Sequence, residues 1–168
     1  SAAGFAQLIG LIGEKIDCQV MLFGGADDAE VVDGVLAGCG RRATSLVGKI
    51  SLHELPAAIR RCRVFVTNDS GPMHGEVAEG VPVVHIFCAT PPTLGFYPYS
   101  SKAIVLEKDL PCRPCSSHGG RRCPLGTEDC IRLIGPEQVY QAVAQLLDGT
   151  SRPDLEVANR YLPQFVVV

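Results

Sequence analysis

Apolar positions along the chain alternate between two spacings. In residues 3–15, Phe5, Leu8, Ile9 and Ile12 recur every three or four positions, the mark of a helix with one buried face. Residues 18–23 form a largely apolar run that reads as a buried strand and stops at Gly24-Gly25. Asp27 or Asp28 can cap a second helix carrying Val31, Val32, Val35 and Leu36, which Gly38 and Gly40 end. A short strand is expected at 44–47. Ser51 and Glu54 have the spacing of a capping box and predict a helix from there to about Cys62. Strands follow at 63–67 and 81–87, separated by a helix that opens near Pro72 and ends at Gly80. Beyond residue 88 the pattern loosens. One further strand is expected at 103–106, and a helix restarts at Gly135-Pro136-Glu137 and runs to about Leu147, with Val139, Val143, Leu146 and Leu147 on its apolar side.

This is a strand–helix alternation with short connections. It predicts an α/β fold: a Rossmann-like parallel sheet with helices on both faces. Ligands of such sheets bind outside the carboxyl ends of the strands. Three loops are expected to converge there: 24–28, 48–51 and 68–74.

Length and composition narrow this reading. The 168 residues fit one domain, and 46% hydrophobic against 20% charged residues is enough for one sizeable core. We expect that domain to span 1–150, with a Cys-rich irregular segment at 108–134 and a tail at 151–168. A net charge of −3 gives no basic face for nucleic acid. No apolar run approaches the ~18 residues of a membrane span. The chain opens on Ser1 with no signal-peptide pattern, as an excised piece or a processed terminus would.

The densest chemistry lies at Asp69-Ser70-Gly71-Pro72-Met73-His74, where a strand turns into a helix. The first turn of a helix has free N–H groups and a positive dipole end. Gly71 admits a ligand close to the backbone, Ser70 adds a hydroxyl, and His74 lies one turn on. These are the elements of an anion site, best suited to phosphate. Asp69 can orient the loop or a ligand hydroxyl. An ordinary helix N-cap with a surface histidine fits the same residues. There is no Walker or GxGxxG pattern.

The cysteines divide into two groups. Cys18, Cys39, Cys62 and Cys88 are scattered in apolar settings and read as buried thiols of a reducing compartment. Cys112, Cys115, Cys123 and Cys130 lie within 19 residues. Cys-x2-Cys is half of a tetrahedral zinc site, but the second pair is spaced too widely for a standard ribbon. A structural zinc, four reduced thiols and two disulfides all fit, and His118 is a spare ligand. His53 reads as solvent-facing and His85 as a core or rim residue.

The run Val66-Thr67-Asn68-Asp69-Ser70-Gly71-Pro72-Met73-His74, followed by Gly80-Val81-Pro82-Val83-Val84, resembles the glycosyltransferase family 9 heptosyltransferases, which use ADP-heptose to build lipopolysaccharide. Phe23-Gly24-Gly25, Val47-Gly48-Lys49-Ile50-Ser51-Leu52, the four-cysteine stretch and Ile134-Gly135-Pro136-Glu137-Gln138-Val139 extend the resemblance over about 3–148. It implies the C-terminal, donor-binding half of a GT-B fold. Ser70, Gly71 and His74 would hold the donor diphosphate, with Pro72 and Met73 in the same turn, and Asp69 would contact the transferred sugar. Lys49 and Ile50 would border the adenine, Asp28 or Asp27 the ribose, with Gly24, Gly25 and Thr90 completing the donor site.

The implied reaction is inverting transfer of heptose to the lipopolysaccharide inner core, with no cofactor required. The base and the acceptor site belong to an N-terminal domain outside this sequence, so the piece alone should not transfer sugar. The resemblance also implies a cytoplasmic protein, peripheral to the inner face of the inner membrane, that meets a lipid-linked saccharide acceptor. Cys88-Ala89-Thr90 stands where the family often has Gly-Pro-Thr, and Glu76 where small apolar residues are usual. These departures motivate an alternative, a non-catalytic nucleotide-sugar-binding relative. A GT-B sugar-nucleotide epimerase domain is another.

Overall fold

A computed structural model describes residues 1–68, 80–95, 102–117, 119–120 and 122–148. The helix expected after Asp69 and the tail from Ser151 lie outside the described residues. The described chain divides into two compact units, one of residues 1–55 with 135–140, the other of 56–134 with the end of the last helix.

In the first unit Ser1 caps helix α1 (Ala2–Lys15), its hydroxyl accepting from the Gly4 N–H at 3.2 Å. Strand β1 (Val20–Leu22) leads through helix α2 (Ala29–Gly38) to strand β2 (Ala43–Ser45). The strands pair in parallel, Val20 with Ala43 and Leu22 with Ser45. α1 and α2 share a core of Ala6, Ile9, Val35 and Cys39, with Phe5, Val20, Leu22 and Ala43 packed on it. The helices approach so closely that a Cβ on Gly38 would lie 2.9 Å from that of Ala6. α2 closes in a Schellman motif: Arg41 N–H reaches the Leu36 carbonyl at 2.9 Å, and Gly40 N–H reaches that of Ala37 at 3.4 Å. Gly40 (φ +62°) and Arg41 (φ +59°) are both left-handed there.

The second unit opens with the short helix α3 (Leu55–Ile59). A helix running from Ser51 to Cys62 was expected, and the difference has a physical cause. Pro56 lacks an N–H and is tolerated only in a first turn, so a helix begun at Ser51 would place it in the interior. Strands β3 (Phe65–Asn68), β4 (Val83–Ile86) and β5 (Ala103–Leu106) follow, all parallel and in that order. Phe65 pairs with Val83, and Val83 with Ala103. All four β5 residues are buried, as are Val83, Val84 and His85 of β4. Burial on both sides is why these strands read as continuous apolar runs. His85 is a core residue as expected, its ring 4.1 Å from that of Phe87.

The described residues of the 108–134 segment are irregular except for one short helix, α4 (Asp129–Arg132). Helix α5 (Pro136–Asp148) buries Val139, Ala142 and Val143. Gln138 caps it by accepting the Gly135 N–H at 3.2 Å. The α/β class with parallel strands is as the alternating pattern implies. Among the described residues the strands form two ladders, β1-β2 and β3-β4-β5, where a single sheet was expected.

Candidate functional site

In the first unit the loops that leave the carboxyl ends of β1 and β2 are tied to each other by backbone. Leu46 N–H donates to the Leu22 carbonyl at 2.9 Å, and Gly48 N–H to that of Gly24 at 3.4 Å. Gly48 is left-handed (φ +66°). The Asp28 carboxylate does not cap α2 but turns back, accepting the Gly25 N–H at 2.8 Å. That return requires Gly24, since a Cβ there would lie 2.9 Å from Asp28 Oδ2. Lys49 folds its ammonium onto the Ser45 carbonyl at 2.8 Å. The structure thus gathers Gly24, Gly25, Asp28, Gly48 and Lys49 at one end of the β1-β2 ladder, with Ile50 half-buried beside Lys49. Asp28 and Lys49 are both exposed there.

The Ser51–Glu54 pair closes this loop differently from a full capping box. Glu54 Oε2 accepts both the N–H and the hydroxyl of Ser51, each at 2.8 Å. The backbone N–H, then the hydroxyl, hold the Glu54 carboxyl below its usual range. His53 is exposed, as expected.

In the second unit β3 ends on exposed Asn68, immediately before Asp69-Ser70-Gly71-Pro72-Met73-His74. Those six residues, and Glu76, lie outside the described residues. Thr90 ends the turn that follows β4 and is buried.

Of the cysteines read as buried thiols, Cys39 is buried, Cys62 and Cys88 are half-buried, and Cys18 is exposed because β1 begins only at Val20. All eight are free. Cys123 Sγ accepts the Glu128 N–H at 3.4 Å, and this bond is the main cause holding its thiol below the usual range. Burial pushes the Cys130 thiol up, against the pull of the Arg113 guanidinium. Cys115 Sγ lies 3.7 Å from the Cys112 carbonyl. The charges of Cys115, Cys123 and Cys112 add to the upward push on Cys130, so the four thiols lie near one another. Among the described residues no three His, Cys, Asp or Glu side chains are gathered as a metal-binding set.

The same segment carries a buried cation that the local pattern does not single out. The Arg113 side chain is 4% exposed and pairs with Glu107 at 3.0 Å. Burial raises the Glu107 carboxyl above its usual range, and the charge of Arg113 opposes the shift. A buried guanidinium needs a carboxylate partner, so Glu107 six residues earlier was the available signal.

Parallel strands with glycine turns at their carboxyl ends define a protein of the α/β class, whose ligands bind at that edge. A sequence profile of glycosyltransferase family 9 (heptosyltransferase) matches residues 1–124, and the chain belongs to that family. It is 33% identical over 109 residues to lipooligosaccharide heptosyltransferase 2 of Campylobacter jejuni, covering 65% of this chain and 33% of that protein. Lipopolysaccharide heptosyltransferase 2 of Escherichia coli K12 is 35% identical over 93 residues, 53% of this chain and 26% of that one. Among solved structures, the family 9 glycosyl transferase of Veillonella parvula superposes with a TM-score of 0.74 at 30% identity, and the E. coli ADP-heptose lps heptosyltransferase II with 0.74 at 27%. Each covers 89% of this chain and 42% of the neighbour. The chain spans about a third of the length of the curated relatives it matches.

Proposed function

We propose that this chain is the donor-binding part, the C-terminal half of a GT-B fold, of an inverting glycosyltransferase that moves heptose from ADP-heptose to the lipopolysaccharide inner core. The observation that carries the reading is the loop pair at the carboxyl ends of β1 and β2, where glycines bring Asp28 and Lys49 to one exposed edge. The family membership and the names of the similar proteins supply the sugar.

On this reading Asp28 accepts the ribose hydroxyls, and Lys49 and Ile50 border the adenine. Ser70, Gly71 and His74 hold the diphosphate and Asp69 the sugar. Backbone N–H groups and His74 stabilise the charge that grows on the departing ADP, the part of catalysis that fixed dipoles serve best. The acceptor hydroxyl displaces ADP at the anomeric carbon and inverts it. The base that takes its proton, and the lipid-linked acceptor, belong to the part of the relatives' length that this chain does not span. The reading needs no cofactor, and by itself the chain binds donor without transferring sugar. The whole protein works in the cytoplasm at the inner face of the membrane. No described helix is long and apolar enough to cross one.

Calorimetric titration of the chain with ADP, UDP and GDP tests this. Preferential ADP binding, weakened about tenfold by His74→Ala as loss of a charge-assisted phosphate contact requires, is the expected result. Equal affinity for all three, or binding indifferent to His74→Ala, would overturn it.

A further inference from the structure

Arg113 ties its own segment to the nearby end of β5 and to a turn 23 residues earlier. Its Nη2 donates to the Thr90 carbonyl at 2.9 Å and to Glu107 Oε2 at 3.0 Å, and its Nη1 to the Lys108 carbonyl. One guanidinium thus joins the turn after β4, the end of β5 and the Cys-rich segment. Two further contacts fasten the same turn. Cys115 N–H donates to the Ala89 carbonyl at 3.1 Å. Gly119 (φ +72°) lies against it closely enough that a Cβ there would be 3.5 Å from Ala89 Cβ and 3.6 Å from Thr90 Cγ2.

A buried ion pair is a poor device for stability alone, because desolvation offsets most of its attraction and an apolar replacement often does as well. The pair here is incompletely satisfied too: Arg113 Nε is buried with no hydrogen-bond partner. What a planar fork provides that apolar packing does not is direction. It fixes the Thr90 carbonyl, and with it the backbone of the turn, at the carboxyl end of β4, the edge where parallel sheets take ligands.

We infer that Arg113 is a positioning residue that holds the Cys88–Thr90 turn in its ligand-binding form, and that the Cys-rich segment is organised around this guanidinium. The benefit to ligand rests on the donor-binding reading. The clamp itself does not.

The test uses Arg113→Met, which keeps bulk without charge, and Arg113→Lys, which keeps charge without the fork. Two readouts are needed, amide exchange and ADP affinity. Arg113→Met is expected to speed exchange in 88–90 by about tenfold, the rate counterpart of losing one charge-assisted bond, while β1 and β2 keep their protection. ADP affinity is expected to fall by a similar factor, with Arg113→Lys recovering part of both, since an ammonium can still reach one carbonyl. Glu107→Gln, which keeps an acceptor for Nη2, should loosen the turn less and serves if Arg113→Met does not fold. Unchanged exchange in 88–90 in a folded Arg113→Met or Glu107→Gln chain would overturn the clamp. So would one equivalent of bound zinc whose chelation, rather than Arg113→Met, releases the turn. If the unsubstituted chain binds no ADP, the donor reading fails, and the exchange data still decide the clamp.

Discussion

The two units secure their strand-end loops by different means. In the first, the loops after β1 and β2 are held by neighbours in sequence: Asp28 on Gly25, Lys49 on Ser45, Glu54 on Ser51, with two backbone bonds across the strand ends. Beneath them α1 and α2 form an apolar core without buried charge. In the second, the turn after β4 is held from 23 residues away by a buried cation and its carboxylate. Local side chain–backbone closure needs short residues and glycines at set offsets. Long-range ionic closure needs a carrier segment, and the irregular 108–134 stretch serves as one.

Substitutions can break this comparison, beginning where the effect is largest. Ile9→Ala removes a fully buried side chain from the α1–α2 core and should cost about 2–5 kcal/mol, read by denaturant unfolding, with exchange in β3-β4-β5 affected less than in β1-β2. Equal loosening of both ladders would show that the units do not open separately. Gly38→Ala puts a Cβ 2.9 Å from that of Ala6 and should cost about 1–3 kcal/mol by overpacking. Gly24→Ala crowds Asp28 Oδ2. It should cost about 1 kcal/mol in stability and weaken ADP binding, because Asp28 must turn away. Arg41→Gly relieves a left-handed residue at the end of α2 and should stabilise the chain by about 1 kcal/mol.

The smallest effect is a pH dependence. Glu54 has a lowered carboxyl pKa in the fold, so its contribution is present above the ordinary carboxylate range. It is lost as pH falls through the lowered value. Glu54→Gln should flatten that slope, as melting temperatures between pH 3 and 6 would report.

The contrast also explains what could be read in advance. Five strands sit where period and apolar runs put them, and α1, α2 and α5 fall within a few residues of expectation, because burial on one face leaves a repeating trace. The helix from Ser51 was overextended because its capping signal was read without the veto that Pro56 imposes. The division into two ladders leaves no mark on any single strand. Asp28 was legible as a carboxylate at the start of α2. Its turn onto Gly25 was not, since either a helix cap or a loop closure suits an Asp beside glycines. Arg113 was hidden for a different reason. It stands between two cysteines and a proline, where the thiols draw the attention, and only the fold brings Thr90, 23 residues away, against it.

The central claim, that the strand-end loops are a donor site, is tested most directly by following backbone amide resonances while ADP is added. The account predicts saturable shifts at Gly24, Gly25, Gly48 and Lys49 together with Ser70, Gly71 and His74, all reporting one dissociation constant. Shifts confined to other parts of the chain, or none at these glycines while ADP binds, would contradict it.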